Sequence, residues 1–234
     1  MKYVVFSLCL LFSLSATAQL NLNKIKNAVK GEKLSSEEVG NGLKEALTQG
    51  VSKGADLVSK TDGYLKNPSI KIPFPAEAKR VESRLREMGM GGEVDKFIVS
   101  LNRAAEDAAK EAKPIFIAAI KQMTIEDAWN ILKGEDNAAT VYLTRTTSPE
   151  LKEKFLPVVK ASLAKVSATK YYADLVNTYN KIPLVEKANP NLDEYATNKA
   201  IEGLFFMIAQ EEKNIRENPG ARTSALMKKV FSAQ

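Results

Sequence analysis

The chain has 234 residues, 44% of them hydrophobic and 26% charged, and a formal net charge of +6 from 34 basic and 28 acidic side chains. This composition is typical of a folded globular protein, and a small positive excess without clusters of arginine and aromatic residues argues against a nucleic-acid partner. There is no histidine, and the one cysteine is Cys9, so a chain that loses Cys9 has no histidine base, thiol nucleophile, zinc finger or haem ligand of either type.

Residues 1–18 have the pattern of a secretory signal peptide. Lys2 precedes an apolar run from Val4 to Leu14. The small residues of Ala16-Thr17-Ala18 then predict cleavage before Gln19. We therefore expect a periplasmic or secreted protein.

The same region predicts that the protein is neither lipid-anchored nor membrane-spanning. Cys9 lies within the apolar run rather than directly after the cleavage point, where a lipid anchor requires it. The run is too short to cross a bilayer, and nothing like it recurs. After it we expect a basic tail over residues 19–34 and a single helical domain over residues 35–234.

Helical periodicity dominates this domain. Ser35 or Ser36 offers an N-cap to a helix that reaches about Lys60. Its four glycines suit either close helix–helix contact or mobility; they are Gly40, Gly42, Gly50 and Gly54. Residues 67–75 lack the helical period, and alternating apolar residues between prolines predict either a lone strand or a loop strapped over the core.

The next segments predict short amphipathic helices. Residues 76–88 form one such segment, which stops at the glycine-rich turn of residues 89–92. A longer helix is predicted over residues 93–112, and Pro114 opens a short apolar one.

Two helix starts are predicted in the middle of the chain. Thr124 to Asp127 resembles a capping box. A helix over Ala138–Arg145 should then end, because Ser148-Pro149-Glu150 places a capping residue directly before a proline and so predicts a new start. That new helix runs through Val166, with Pro157 as a candidate kink.

The last third of the chain predicts three more helices. They cover Tyr171–Tyr179, a long segment from Leu192 to about Asn218, and residues 221–231. The centre of the long helix, Ile201–Ala209, is apolar on nearly every face and should be enclosed by other helices. The predicted fold is therefore an all-α bundle of about eight or nine helices with one short extended segment near 70–74.

Several consecutive stretches carry a resemblance to a known family. They read Asn102-Arg-Ala-Ala-Glu-Asp-Ala-Ala109, Met123-Thr-Ile-Glu-Asp-Ala128, Ala138-Ala-Thr-Val-Tyr-Leu143, Gly203-Leu-Phe-Phe-Met-Ile-Ala-Gln-Glu-Glu-Lys-Asn-Ile-Arg-Glu-Asn-Pro-Gly-Ala-Arg-Thr223 and Leu226-Met-Lys-Lys-Val-Phe231. From about Leu34 onward the chain resembles DUF4197, a family of exported bacterial proteins of unknown function. The resemblance implies a helical exported protein and implies no activity.

Acidic residues are the remaining route to acid–base or metal chemistry. They occur as adjacent pairs, namely Glu106-Asp107, Glu126-Asp127, Glu135-Asp136 and Glu211-Glu212. Adjacent residues point about 100° apart on a helix, so no pair is a ready-made bidentate site. We expect helix capping and solvated charge from these residues, and we expect no metal, no cofactor and no catalytic residue.

Two groups of residues are candidate binding sites. Arg216 and Arg222 flank a Pro-Gly turn near Glu212. In one interpretation they stabilise helix C-termini and pair with Glu212. In the other they contact an acidic partner, a lipid headgroup or a peptidoglycan-linked phosphate. We favour the first, because surface charge alone specifies little about a binding partner. Tyr171 and Tyr172 are adjacent, so one faces away from the other, and this pair is the better candidate for lining a pocket.

Two functions fit the sequence. The first is a non-catalytic binding protein that takes a protein partner or an apolar ligand between its helices. The alternative is a carboxylate-based hydrolase acting on envelope polymers, which needs no histidine. An apolar cavity or patch would favour binding, whereas two inward carboxylates about 5–9.5 Å apart in a cleft would favour the hydrolase.

The signal-peptide pattern generates the first prediction. Protein recovered from the envelope or the medium of its host should begin at Gln19, because Ala16 and Ala18 are the small residues that signal peptidase reads. N-terminal sequencing checks this. Exported material that still begins at Met1 would contradict it.

Overall fold

Nine α-helices make up most of the part of the chain that the structure describes. The structure is a computed structural model, and it describes residues 34–181, 183–184 and 187–232. In chain order the helices are α1 (Ser36–Val58), α2 (Lys79–Glu87), α3 (Gly91–Ala108), α4 (Ala112–Gln122), α5 (Ile125–Lys133), α6 (Ala138–Ala164), α7 (Ala168–Tyr179), α8 (Leu192–Glu217) and α9 (Ala225–Phe231). The predicted all-α class is confirmed. The predicted signal peptide, and the predicted tail up to residue 33, lie outside the described residues.

Helix α1 begins as its sequence predicts. The Ser35 hydroxyl accepts the backbone N–H of Glu38, and the Glu38 carboxylate accepts the N–H of Ser35, which satisfies two otherwise unpaired donors. The glycines of α1 serve close packing: a Cβ at Gly42 would lie 2.6 Å from Cγ2 of Val230 in α9. The sequence was compatible with either close helix–helix contact or mobility as the role of these glycines, and close contact is the role of Gly42.

Helix α8 is the centre of the bundle and packs against α1, α3, α6 and α7. On α8, Leu204, Phe205 and Ile208 are buried, and the Phe205 ring meets that of Phe116 edge-on with centroids 5.7 Å apart. The expectation that several other helices enclose Ile201–Ala209 is confirmed, although the Phe206 side chain is 42% exposed. The helices around α8 leave that side uncovered.

Helix α6 corrects the predicted helix start at Ser148-Pro149-Glu150. A single helix runs from Ala138 to Ala164 with Pro149 and Pro157 inside it. The Ser148 hydroxyl does not cap a new helix but donates to the carbonyl of Thr144, one turn earlier.

Packing explains why α6 continues past the proline. Its buried residues follow an unbroken i, i+4 series, which is Ala139, Leu143, Thr147, Leu151, Phe155, Val159 and Leu163. A proline inside a helix costs about 3 kcal/mol. Full burial of each large apolar side chain contributes about 1.5–3 kcal/mol, so keeping this series in register outweighs the break.

The segment between α1 and α2 is a loop strapped over the core, which was one of the two predicted alternatives. The side chain of Asn102 on α3 pairs with both backbone groups of Ile72: its Oδ1 accepts the N–H and its Nδ2 donates to the C=O, each at 2.8 Å. Ile70, Ile72 and Phe74 are all buried. No strand forms within the described residues, because these backbone bonds go to a side chain rather than to a second strand.

Tyr64 anchors the start of this strap. Its hydroxyl donates to the carbonyl of Ala200 on α8 at 2.5 Å, and its N–H is accepted by Glu106 of α3. A Cβ at Gly203 would lie only 2.6 Å from the Tyr64 ring, so α8 needs a glycine where the ring crosses it. The strap delivers Phe74 and the start of α2 to the N-terminal half of α3.

The continuity of α6 generates the second prediction. Pro149→Ala should raise the free energy of unfolding by about 1–3 kcal/mol, because alanine restores a helix-interior N–H and removes the ring clash. Urea denaturation measures this change.

A second proline provides a matched control. Pro219 opens the 3₁₀ turn Pro219–Ala221, where no N–H is required, so Pro219→Ala should lower stability by about 0–1 kcal/mol. If Pro149→Ala also fails to stabilise the protein, Pro149 is at a helix start and the single-helix description is contradicted.

Candidate functional site

A large open groove lies between the α2–α3 pair and α7. Its volume is about 1370 Å³, and helices α2, α3 and α7 together with Phe74 of the strap line it. Small-molecule sites are typically concave, mostly apolar and about 300–1,000 Å³ in volume. The groove therefore has the shape and size of a site for a bulky ligand.

Helix α2 forms one wall because its apolar face is turned to the groove and stays incompletely buried. Val81, Leu85 and Met88 repeat at helical spacing and line the groove. None of the α2 residues Lys79–Glu87 is buried, and the main packing partner of the helix is α3. Gly89, with φ of +81°, makes the tight turn between the two helices.

Helix α7 forms the opposite wall. Ser167 adopts a left-handed conformation with φ of 53°, which separates α7 from α6. Both predicted tyrosines line the groove: Tyr171 is 65% exposed and lies at the rim, whereas Tyr172 is buried, with only 3% of its surface exposed. Their binding role remains a prediction.

Three aromatic rings form the floor of the groove. Phe74 of the strap, Phe97 of α3 and Tyr172 of α7 have ring centroids 4.9, 5.9 and 6.1 Å apart. Burial raises the pKa of Tyr172 to about 12, so its phenol is neutral at physiological pH. The Tyr172 hydroxyl makes no hydrogen bond to another residue that the structure describes.

Exposed apolar side chains concentrate at this groove. Among the described residues eleven large apolar side chains are exposed, and five of them line the groove: Met88, Met90, Val166, Tyr171 and Leu175. A concentrated exposed apolar patch marks an interaction site, whereas single exposed residues do not. Methionine side chains at the edge also suit ligands of variable shape.

The predicted C-terminal residues lie elsewhere and do not line this groove. Glu212 of α8 accepts the backbone N–H groups of Ala139 and Thr140 at 2.9 and 2.8 Å. It thereby caps the start of α6, which has no cap of its own. Arg216 pairs with Glu212 at 2.8 Å and donates to the carbonyl of Ile131 in α5, so the pair joins three helices.

Arg222 closes the C-terminal end of α8. Its Nε donates to the carbonyl of Ile215 and its Nη2 to that of Arg216, at 3.0 and 2.7 Å. The residue is 8% exposed, and its guanidinium lies 5.3 Å from the centre of the Phe231 ring. These contacts are those of the favoured interpretation, in which the arginines stabilise a helix C-terminus and pair with Glu212.

Four carboxyl groups of the described residues have a pKa shifted in the direction opposite to that of a catalytic acid. A hydrolytic pair needs one carboxyl group with a raised pKa. The carboxyl groups whose pKa departs clearly from its ordinary value are Glu38, Asp62, Asp107 and Asp127, and hydrogen bonds lower it in each case. No group of three or more acidic residues in the described ranges could hold a metal ion.

Sequence reasoning found the two tyrosines of α7 and missed the α2 wall and the two phenylalanines of the floor. The amphipathic spacing of α2 was visible, but a periodic apolar face predicts burial against a partner helix. Nothing in the spacing indicates that the partner is absent.

Comparisons with known proteins give a family and no relative. The family model described as "Protein of unknown function (DUF4197)" matches residues 33–232. No curated protein and no solved structure matches the chain. In the part of the chain that the structure describes, no helix combines the length and hydropathy needed to cross a membrane.

The contacts of Arg222 generate the third prediction. Arg222→Ala should lower the free energy of unfolding by about 2–3 kcal/mol, because two carbonyls of α8 lose a charged donor in a buried setting. Lys228→Ala, an exposed change on α9, should alter it by less than about 0.5 kcal/mol. Chemical denaturation measures both. Equal, small effects would show that Arg222 does not close the helix end.

Proposed function

The chain belongs to the DUF4197 family, whose description gives no function, and we therefore propose from the groove geometry that it is a non-catalytic binding protein for an apolar ligand. The observation that carries the proposal is the concentration of exposed apolar side chains around one concave site. Exposure of this apolar surface to water is unfavourable. A hydrocarbon ligand that covers it would gain a binding free energy of about 25 cal/mol per Å² of buried apolar area.

The shape of the site favours a small molecule over a protein partner. Protein interfaces need roughly 800 Å² from each side, whereas small-molecule sites are clefts or cavities that surround most of the ligand. Here helices α2, α3 and α7 enclose a single groove around an aromatic floor. A ligand that enters it contacts three elements at once.

Export forms part of the proposal. The signal-peptide pattern of residues 1–18 supports a role in the periplasm or outside the cell. An apolar ligand moving through water in such a compartment needs a carrier that shields it. This gives a reason for an exported protein to keep an apolar groove open.

The proposal generates the fourth prediction. The uncharged fluorophore N-phenyl-1-naphthylamine should bind the protein saturably, with enhanced emission. Leu175→Asp should weaken this binding at least about tenfold, because the new carboxylate lies in the apolar α7 wall and must lose water when the ligand enters. Fluorescence titration measures the dissociation constants.

Val141→Asp is the matched control. Val141 is 58% exposed on α6 and does not line the groove, so this variant should bind the fluorophore within about twofold of the unmodified protein. Absence of saturable binding, or equal weakening by both variants, contradicts the proposal. Capture of a protein partner that Leu175→Asp alone abolishes, without fluorophore binding, would make the groove a protein-docking surface instead.

A further inference from the structure

The charged residues of the groove are unevenly distributed over its walls. Arg80 and Arg84 lie one turn apart on α2, beside the apolar strip that contains Val81 and Leu85, and all four line the groove. Wall α2 therefore presents a basic strip next to an apolar one. An amphiphile has the same division into a charged end and an apolar chain.

Arg80 stands apart from the other six arginines of the chain, all of which the structure describes. The other six each have a carboxylate, carbonyl or aromatic partner. Arg80 has no hydrogen bond, ion pair or ring contact with any described residue. No described residue therefore accepts a hydrogen bond from any of its five N–H donors.

Arg84 is only weakly held. Its one ion pair is to Glu87 at 3.0 Å, and the two side chains are 75% and 63% exposed. Pairs of this kind contribute about 0–1 kcal/mol. Like charges at i and i+4 also disfavour the helix by about 0.2–0.5 kcal/mol, so an anion between Arg80 and Arg84 would relieve a repulsion.

The remaining charges direct an anion to the same place. On α3, Lys96 and Glu93 pair with each other at 2.9 Å. On the opposite wall Asp174 of α7 lines the groove without an ion pair to any described residue. The two walls thus have opposite sign, and an anionic group is favoured at α2 and disfavoured at α7.

We infer that the ligand is an amphiphile with an anionic head group, carboxylate or phosphate, which Arg80 and Arg84 bind while its hydrocarbon part lies on the aromatic floor. This inference rests on the proposed function and adds the class of ligand. The planar guanidinium fork matches both types of oxyanion.

The test uses three ligands with the same C18 chain, oleyl alcohol, oleate and oleoyl lysophosphatidate, the alcohol below its solubility limit and the two anions below their critical micelle concentrations. Isothermal titration calorimetry with the full-length protein at low ionic strength should show at least one anionic ligand binding about tenfold or more tightly than the alcohol. A preference for oleate identifies a fatty acid, and a preference for the phosphate identifies a lipid head group. Added salt should reduce the difference.

Variants of the two arginines locate the effect. Arg80→Gln/Arg84→Gln should remove the preference for the anionic ligand and leave the affinity for oleyl alcohol within about twofold, because the apolar contacts remain. Arg145→Gln, an exposed arginine on α6 outside the groove, should change neither.

The outcomes separate this inference from the proposed function. Equal binding of all three ligands overturns the head-group inference and leaves apolar binding standing. A preference that persists in the double variant also overturns it, because the arginines then do not make the contact. Failure of all three to bind, together with failure of the uncharged fluorophore, contradicts the proposed function itself.

Discussion

Two side chains of α3 hold the strap against the bundle, and the groove depends on them. Asn102 pairs with both backbone groups of Ile72, and Glu106 accepts the N–H groups of Tyr64 and Leu65. A buried backbone group without a partner costs about 1–3 kcal/mol. Because these bonds are made, an irregular segment can cross the core and place Phe74 in the groove floor. The polar residues that look least like core residues therefore determine where the apolar site forms.

The described helices follow largely from local signals in the sequence. The caps at Ser35 and Thr124 are present, and the two ends of α8 lie within a residue or so of the predicted bounds. Local signals failed at Pro149, where a strong start pattern lost to the packing of a long i, i+4 series against other helices. A pattern of three residues reports local preference, whereas the burial of seven residues depends on neighbours that are far apart in sequence.

The candidate site was predictable only in part, for the same reason. Adjacent tyrosines on α7 suggested a pocket, since two neighbours on a helix cannot both face one core. The basic C-terminal residues were candidates because they are charged and clustered. In the structure, however, Arg216 and Arg222 donate hydrogen bonds to carbonyls and a carboxylate of their own chain. Arg80 had no distinguishing local signal. It is notable only because every other arginine has a partner in three dimensions.

The sparse packing of α2 has a consequence for its local stability. None of its nine residues is buried, so little apolar area is exposed to water when it separates from α3. Such elements open at a lower free energy than the core of the domain, and independently of it. Amide hydrogens of α2 should accordingly exchange before those of α8. A ligand that contacts both α2 and α7 would bind only the form in which α2 is packed on α3, and would therefore slow this exchange. Ligand binding would thus stabilise the α2 wall of the groove.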